Sequence, residues 1–166
     1  MRSTESQSTT ATKLKRIAWL SSRDKRKPFD SLVHHFNVGS LEECFHQLDG
    51  RKAVGIDGVT KAEYAERLDE NLQDLVHRMK QMAYRPEPVR QVRIPKEGHP
   101  QSTRALGISI LEDKIVQKMM HRLLESIYEP LFLESSYAFR PDRGAHRAIQ
   151  ALHQHLFRSR RSLMSI

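Results

Sequence analysis

The sequence predicts an α+β fold that is dominated by helices and contains one small antiparallel β-hairpin. Apolar residues recur at steps of three and four in several segments, and three of these segments follow a helix-capping pattern. Between residues 84 and 110 the pattern differs. A short alternating run is followed by turn residues and by a second short run, which is typical of a hairpin.

The composition is that of an ordinary globular chain of 166 residues, with 38% hydrophobic and 29% charged residues. No apolar run approaches the roughly 20 residues that a membrane-spanning helix needs. The single cysteine, Cys44, excludes an internal disulfide. We therefore expect a cytoplasmic protein without a membrane segment.

The net charge is strongly positive. Lysine and arginine outnumber aspartate and glutamate by 28 to 20, which gives a formal charge of +8. This balance favours polyanionic partners such as nucleic acid, and affinity for a single strand should then fall with salt by about 0.7 log units per phosphate contact. Solubility alone is the alternative explanation.

The N-terminal segment divides into two parts. Residues 1–12 are rich in Ser, Thr and Gln, and we expect them to be disordered. Residues 13–27 suit either a basic helix that packs Trp19 and touches RNA, or a solvated tail with one docked tryptophan. The cations of this segment are Lys13, Lys15, Arg16, Arg23, Lys25, Arg26 and Lys27.

Two short helices are expected next, over residues 29–36 and 40–48. Ser40 and Glu43 match a capping box at the start of the second helix, and Gly50 follows its end. Both segments place apolar residues at helical spacing, so both should contribute to a core.

A second capping box, formed by Thr60 and Glu63, predicts one long helix that ends before Tyr84. The helix carries several carboxylates, which fit a solvated outer face better than a metal site. These are Asp69, Glu70 and Asp74.

The predicted hairpin brings two cations together. Residues 89–94 alternate, Pro95 is expected to close the first strand, and residues 98–100 supply the turn. Lys96 then lies at the open end of the hairpin, and Arg104 lies a few residues along the returning strand. A lysine point charge beside an arginine fork suits a polyphosphate. The alternative is two solvated cations beside a turn.

A wide apolar stripe after the hairpin predicts a buried helix that ends near Pro130 and supports the hairpin from behind. Ser109 and Glu112 match a third capping box at its start. A final helix should follow Asp142. Its expected inner face consists of Ala145, Ala148, Ile149, Leu152 and Leu156.

Between these helices lies a turn that alternates aromatic and cationic side chains. Its rings suit stacking on bases and its guanidinium groups suit phosphate, whereas the alternative is an aromatic turn packed on the core. The residues are Tyr137, Phe139, Arg140 and Arg143.

Five segments in this order resemble the motif series of group II intron-encoded reverse transcriptases. The sequence departs from the usual motifs by Ala105 and Ser109, where the family has proline, and by Ala138, where it has glycine. The matching segments are residues 55–59, 94–96, 104–109, 112–117 and 136–146.

The resemblance implies the fingers subdomain and the entrance to the palm of a right-hand polymerase. It divides the chain into a disordered and basic extension over residues 1–27, fingers and the start of the palm over 28–157, and a basic tail over 158–166. The family's metal-binding aspartates have no counterpart in the sequence. We therefore expect a truncated reading frame with an incomplete palm, which is not catalytic alone.

The resemblance also implies roles for individual residues. Lys96 and Arg104 would bind the triphosphate of an incoming deoxynucleotide, while Lys52, Gly55 and Gly58 would contact the template. Implied partners are intron or template RNA, primer DNA, and a second chain carrying the palm. Mg²⁺ would serve the complete enzyme, and no cofactor is expected in this chain. An RNA-binding, maturase-like module without polymerase activity and a non-functional truncated product remain alternatives.

Overall fold

The structure, a computed structural model, describes residues 9–163, apart from the side chains of residues 99–100 and 158–163. It confirms the predicted α+β class, because helices are joined by one two-stranded antiparallel sheet. The α-helices are α1 (Thr10–Arg23), α2 (Val38–Gln47), α3 (Lys61–Glu66), α4 (Leu68–Lys80), α5 (Leu111–Tyr128) and α6 (Ala145–Leu163). The strands are β1 (Arg90–Lys96) and β2 (His99–Ile108), and short 3-10 helices cover Leu32–His35 and Glu129–Leu131. In the part of the chain described, no helix has the length and apolar character needed to cross a membrane.

Helix α5 lies at the centre of the core. Its Ile115, Met119 and Leu123 recur every fourth residue and are fully buried. Helices α1 and α2 pack on α5, and α4 packs on α2. The apolar stripe was therefore predicted correctly as core. The main packing partners of α5 are helices, and its Asp113 anchors the segment that leads into the hairpin.

Helix α1 begins earlier than predicted. The Thr9 hydroxyl caps it by accepting a hydrogen bond from the backbone N–H of Thr12, at 3.3 Å. The expectation of disorder is therefore wrong for residues 9–12, while residues 1–8 lie outside the described part. Ser21 is buried and donates to the carbonyl oxygen of Ile127 at 2.5 Å, which ties α1 to the end of α5.

Two of the predicted capping boxes are wrong. Helix α2 begins after Asn37, whose side chain accepts from the Ser40 backbone N–H, so Ser40 is the third helical residue rather than the cap. Helix α5 has Ile110 at its N-cap and no side-chain cap, because the Glu112 carboxylate binds Arg78 instead, at 2.8 and 2.9 Å.

The remaining predicted capping box, formed by Thr60 and Glu63, is confirmed. The long helix that should follow it is interrupted at Arg67, where the backbone leaves the helical region (φ −129°, ψ 39°). Helices α3 and α4 result, and the break lets Tyr64 and Leu72 both reach the core. The three carboxylates of this segment are exposed as predicted.

Helix α6 differs most from the prediction. The residues expected on its inner face include Ile149, Leu152 and Leu156, yet these are 64%, 60% and 61% exposed. The periodicity was correct, but within the described residues no helix of the core packs extensively against that side of α6. An amphipathic pattern indicates which side of a helix can be buried, but it does not show which other element packs against that side.

The buried His35 should make stability depend on pH. Burial, followed by the nearby His34 and Lys13, holds the pKa of the His35 imidazole below its usual value of 6.5. The unfolded chain then binds this proton more readily than the folded chain, so the His35 contribution is present above about pH 6.5 and is lost at lower pH. Urea unfolding at about pH 7.5 and about pH 5 should show a smaller stability loss for His35→Gln than for the wild type. An equal loss in both proteins would show that His35 carries none of the pH dependence.

Candidate nucleic-acid interface

The β-hairpin forms with a register that places Arg104 opposite Ile94 and Lys96 opposite His99. An irregularity between Pro95 and Lys96 separates these pairs. Pro95 pairs with Thr103 inside the strand, so the expectation that it closes the strand is wrong. The turn follows Lys96, which therefore lies at the tip of the hairpin.

Gly98 makes this tight turn possible. Its φ is +77°, in the left-handed region that favours glycine, and a side chain there would meet no other atom within 4 Å. The tip of the hairpin is therefore open to solvent and to ligands.

Lys96 and Arg104 are both exposed. Opposite residues share a face, so Arg104 lies on the face of Val92 and Ile94, which are half-buried. Ile94 and Lys96 are about 7 Å apart along the strand, and both cations thus lie in the distal half of the hairpin. Neither one pairs with a carboxylate within the described part of the chain.

A third exposed cation of the hairpin, Arg93, was not among the predicted site residues. Arg93 is exposed and lies on the opposite face, across from Ala105. Its guanidinium contacts the Thr103 hydroxyl at 3.5 Å. Strand alternation alone would have found it, because Arg93 and Ile94 must point to opposite faces.

A buried carboxylate fixes the base of the hairpin. Asp113, which is 2% exposed, accepts hydrogen bonds from the Tyr84 hydroxyl and from the backbone N–H of Glu87, the latter at 3.1 Å. Burial, and then this carboxylate, raises the pKa of the Tyr84 phenol above its usual range, so the phenol stays a donor. The strands thus leave the helical core from a fixed point.

The glycine loop before α3 only partly agrees with the predicted template contact. Gly55 is buried, and a Cβ atom there would lie 2.5 Å from the Ile110 Cα. Its small size therefore serves internal packing, and its contact with a template stays a prediction. Lys52 and Gly58 are exposed, and Gly58 has a φ of +72° with open space beside it.

Arg140 has a structural role in place of the predicted phosphate contact. Its side chain is only 5% exposed and binds the Glu129 carboxylate at 2.8 Å. The same guanidinium donates to the carbonyl oxygens of Leu133 and Ser136 at 2.8 and 3.0 Å. These bonds occupy the fork that was expected to hold phosphate.

The other residues of this turn are more accessible. Phe139 is fully exposed on a left-handed backbone (φ 57°), and Tyr137 is half-buried. Arg143 binds the Glu134 carboxylate at 2.6 Å and lies 5.5 Å from the centre of the Tyr137 ring. Phe139 is thus the residue of the turn that is best placed to stack on a base.

Helix α1 and the residues after it present a basic surface. Trp19 is 54% exposed, so the expectation that it packs on the core is wrong, and the Arg23 guanidinium lies 4.8 Å from its ring centre. Apart from the half-buried Lys13, the predicted cations of this segment are exposed. No ion pair to a carboxylate involves them among the described residues.

The described residues do not form a metal centre. No group of three or more His, Cys, Asp or Glu side chains among them is placed to hold a metal ion.

Comparison with known proteins relates the chain to proteins of introns. No protein-family model matches it. Protein YkfC of Escherichia coli (strain K12) is 41% identical over 103 residues, which cover 62% of this chain and 26% of YkfC. Group II intron-encoded protein LtrA of Lactococcus lactis subsp. cremoris is 35% identical over 109 residues, which cover 66% of this chain and 18% of LtrA.

A mitochondrial protein of a plant gives a shorter match. Nuclear intron maturase 2 of Arabidopsis thaliana is 44% identical over 41 residues, or 25% of this chain and 6% of that protein. The matched region thus spans about a quarter or less of the length of these relatives. The chain is related to the group II intron-encoded proteins and intron maturases, the family whose motifs its sequence resembles.

Proposed function

We propose that this chain provides the template-contacting and nucleotide-binding fingers subdomain of a group II intron reverse transcriptase and maturase. One observation carries the proposal. Lys96 and Arg104, both in segments that resemble the family's motifs, are exposed on the distal half of a hairpin and lack carboxylate partners among the described residues.

In this proposal the hairpin tip binds the triphosphate of the incoming deoxynucleotide. The Arg104 fork grips two oxygens, and Lys96 offsets the charge that grows as pyrophosphate leaves. Arg93 lies on the other face of the same strand, where it is available to a second phosphate group or to a nucleic-acid strand. No step assigned to this chain passes through a metal ion.

The template strand would lie along the aromatic turn and the glycine loop. Phe139 offers a complete ring face for stacking, which is worth about 1 to 3 kcal/mol per base. Lys52 and the open backbone at Gly58 would contact phosphate and sugar. Intron RNA is the proposed template, and primer DNA and a palm carried elsewhere would complete the polymerase.

Removing the two hairpin cations should weaken triphosphate binding. For a Lys96→Gln, Arg104→Gln double variant we expect at least a tenfold loss of affinity, because charge-assisted hydrogen bonds contribute about 1.5 to 3 kcal/mol each. Fluorescence anisotropy with a labelled deoxynucleoside triphosphate measures this affinity in the full chain.

The matched control removes Arg67 and Lys80 in the same way. Both are exposed: Arg67, which pairs with the exposed Glu70, is the N-cap of α4, and Lys80 is its last residue. The control therefore has the same net charge but an intact hairpin. Equal affinities of the two double variants would rule out a specific role for the hairpin.

A second candidate function is RNA binding in splicing without polymerase activity. It is favoured by the exposed cations of α1 and by Trp19, which lies ready to stack beside Arg23. Under this alternative, the RNA contacts would be concentrated in residues 13–27 and would leave the hairpin unaffected.

A further inference from the structure

A cavity of about 300 Å³ lies between α5 and the segment that connects α2 to α3. Its lining contains a single carboxylate, that of Asp49, together with four lysines. The lysines are Lys52, Lys61, Lys114 and Lys118. Three of them are half-buried, and Lys52 is exposed.

Two of these lysines shape the cavity by holding the loop that forms its rim. The Lys61 ammonium donates to the carbonyl oxygen of Leu48 at 2.6 Å and also contacts that of His46 at 3.4 Å. The Lys114 ammonium donates to the carbonyl oxygen of Ala53 at 2.8 Å. The first half of the connecting segment is thereby held at Leu48 and at Ala53, so the cavity is formed before any ligand binds.

The positive charge of the cavity is not neutralised by the protein. Carbonyl oxygens carry no net charge, and none of the four lysines lies within ion-pair distance of a carboxylate in the described ranges. Asp49 binds the Arg51 guanidinium instead, at 3.3 Å. The Arg51 backbone N–H, which donates to Asp49 at 3.0 Å, and then the Arg51 guanidinium lower the pKa of the Asp49 carboxyl more than the lysines do.

A simpler explanation for the four lysines is that they are solvated and only anchor the loop. It accounts for Lys61 and Lys114, but it does not account for Lys118, which lies one helical turn after Lys114 on the same face of α5. Like charges in this arrangement repel each other, and a second half-buried ammonium adds to the cost. A bound anion would remove the repulsion.

We propose that this cavity binds a phosphate group, either a phosphodiester of a single-stranded RNA or a free polyphosphate. An ammonium has three N–H donors, so Lys114 keeps two after binding Ala53. The volume lies at the lower end of the range for small-ligand sites, about 300 to 1,000 Å³. The site is distinct from the hairpin, and because its lining includes Lys52, the inference rests on the template contact proposed above and deepens it.

The Lys118→Gln variant tests this site most selectively, because Lys118 anchors no loop among the described residues. Lys80→Gln is the matched control, since it removes the same charge from an exposed position at the end of α4. Thermal unfolding followed by circular dichroism establishes that both variants fold.

The first measurement is anisotropy of a fluorescein-labelled single-stranded RNA over a range of salt concentrations. Lys118→Gln should bind about tenfold more weakly than the wild type, the equivalent of one lost charge-assisted bond. The slope of log affinity against log salt should decrease by about 0.7. Lys80→Gln should retain the wild-type slope.

Titration with inorganic pyrophosphate distinguishes the two sources of phosphate. If Lys118→Gln loses affinity for RNA alone, the cavity binds a nucleic-acid strand. If the variant loses affinity for pyrophosphate alone, the cavity binds a free polyphosphate. If Lys118→Gln matches Lys80→Gln with both probes, the proposal is overturned. The hairpin variants are tested separately with a labelled triphosphate. A negative result for the cavity therefore does not overturn the proposed role of the hairpin, and the reverse also holds.

Discussion

Replacement of Arg140 by methionine should lower the free energy of unfolding by about 2 to 3 kcal/mol. Methionine keeps much of the apolar stem but removes every N–H donor. The Glu129 carboxylate then loses its partner, and the carbonyl oxygens of Leu133 and Ser136 lose their donors. Because Glu129 is about one third exposed, water offsets part of the loss, which keeps the expected effect below that of a fully buried pair.

Urea denaturation followed by circular dichroism measures this change. Arg147→Met is the control, since Arg147 is exposed on α6 and the chemical change is the same. The control should remain within about 0.5 kcal/mol of the wild type. If both variants are equally stable, Arg140 does not hold the turn and its guanidinium is available for phosphate after all.

A methyl group added at Gly55 should destabilise the chain by about 3 kcal/mol. The new Cβ would lie 2.5 Å from the Ile110 Cα and 2.7 Å from the Ile110 backbone nitrogen. Backbone atoms cannot rotate away as a flexible side chain can, so the loop and the start of α5 must move apart. The same denaturation experiment measures the effect.

Gly144→Ala is the matched control for Gly55→Ala. An added Cβ at Gly144 meets no atom within 4 Å, and its backbone is not in the left-handed region. The control should change stability by less than about 0.5 kcal/mol. A Gly55→Ala protein as stable as the control would mean that Gly55 does not pack on Ile110, and its predicted template contact would become the better explanation.

Local sequence patterns predicted which helices and strands form more accurately than they predicted where these elements begin and end. The Thr60 capping box is complete within four residues, so the sequence was sufficient to locate the start of α3. At the start of α5, Glu112 had the right spacing from Ser109 but binds Arg78, which is 34 residues away in the sequence. A long-range ion pair of this kind leaves no local signal, and it overrides the capping pattern.

In the candidate site, too, features set by the local sequence were predicted and a long-range contact was not. Alternation and turn residues predicted the hairpin and the exposure of Lys96 and Arg104. They did not predict that Arg140 is buried, because an arginine bound to phosphate and an arginine bound to Glu129 look alike in sequence. The partner of Arg140 could be identified only once the turn was seen folded over the end of α5.

The burial of the apolar face of α6 was predicted wrongly for a different reason. The period of Ala148, Ile149 and Leu152 correctly indicated an amphipathic helix. Whether such a face is buried depends on what packs against it, and that is a property of the tertiary structure. The sequence pattern therefore located the apolar face correctly and could not settle its burial.

Mapping of backbone amide NMR signals in the full chain, during separate titrations with a deoxynucleoside triphosphate and with a short single-stranded RNA, decides whether the two proposed sites bind these ligands. We expect the triphosphate to cause its largest shifts in the distal half of the hairpin, around residues 93–104, and the RNA to cause its largest shifts in the turn around Phe139 and in the loop around Lys52 and Gly58. Shifts confined to residues 13–27, or spread evenly over the basic surface, would contradict the proposed function. The first of these outcomes would favour an RNA-binding module that does not use the hairpin.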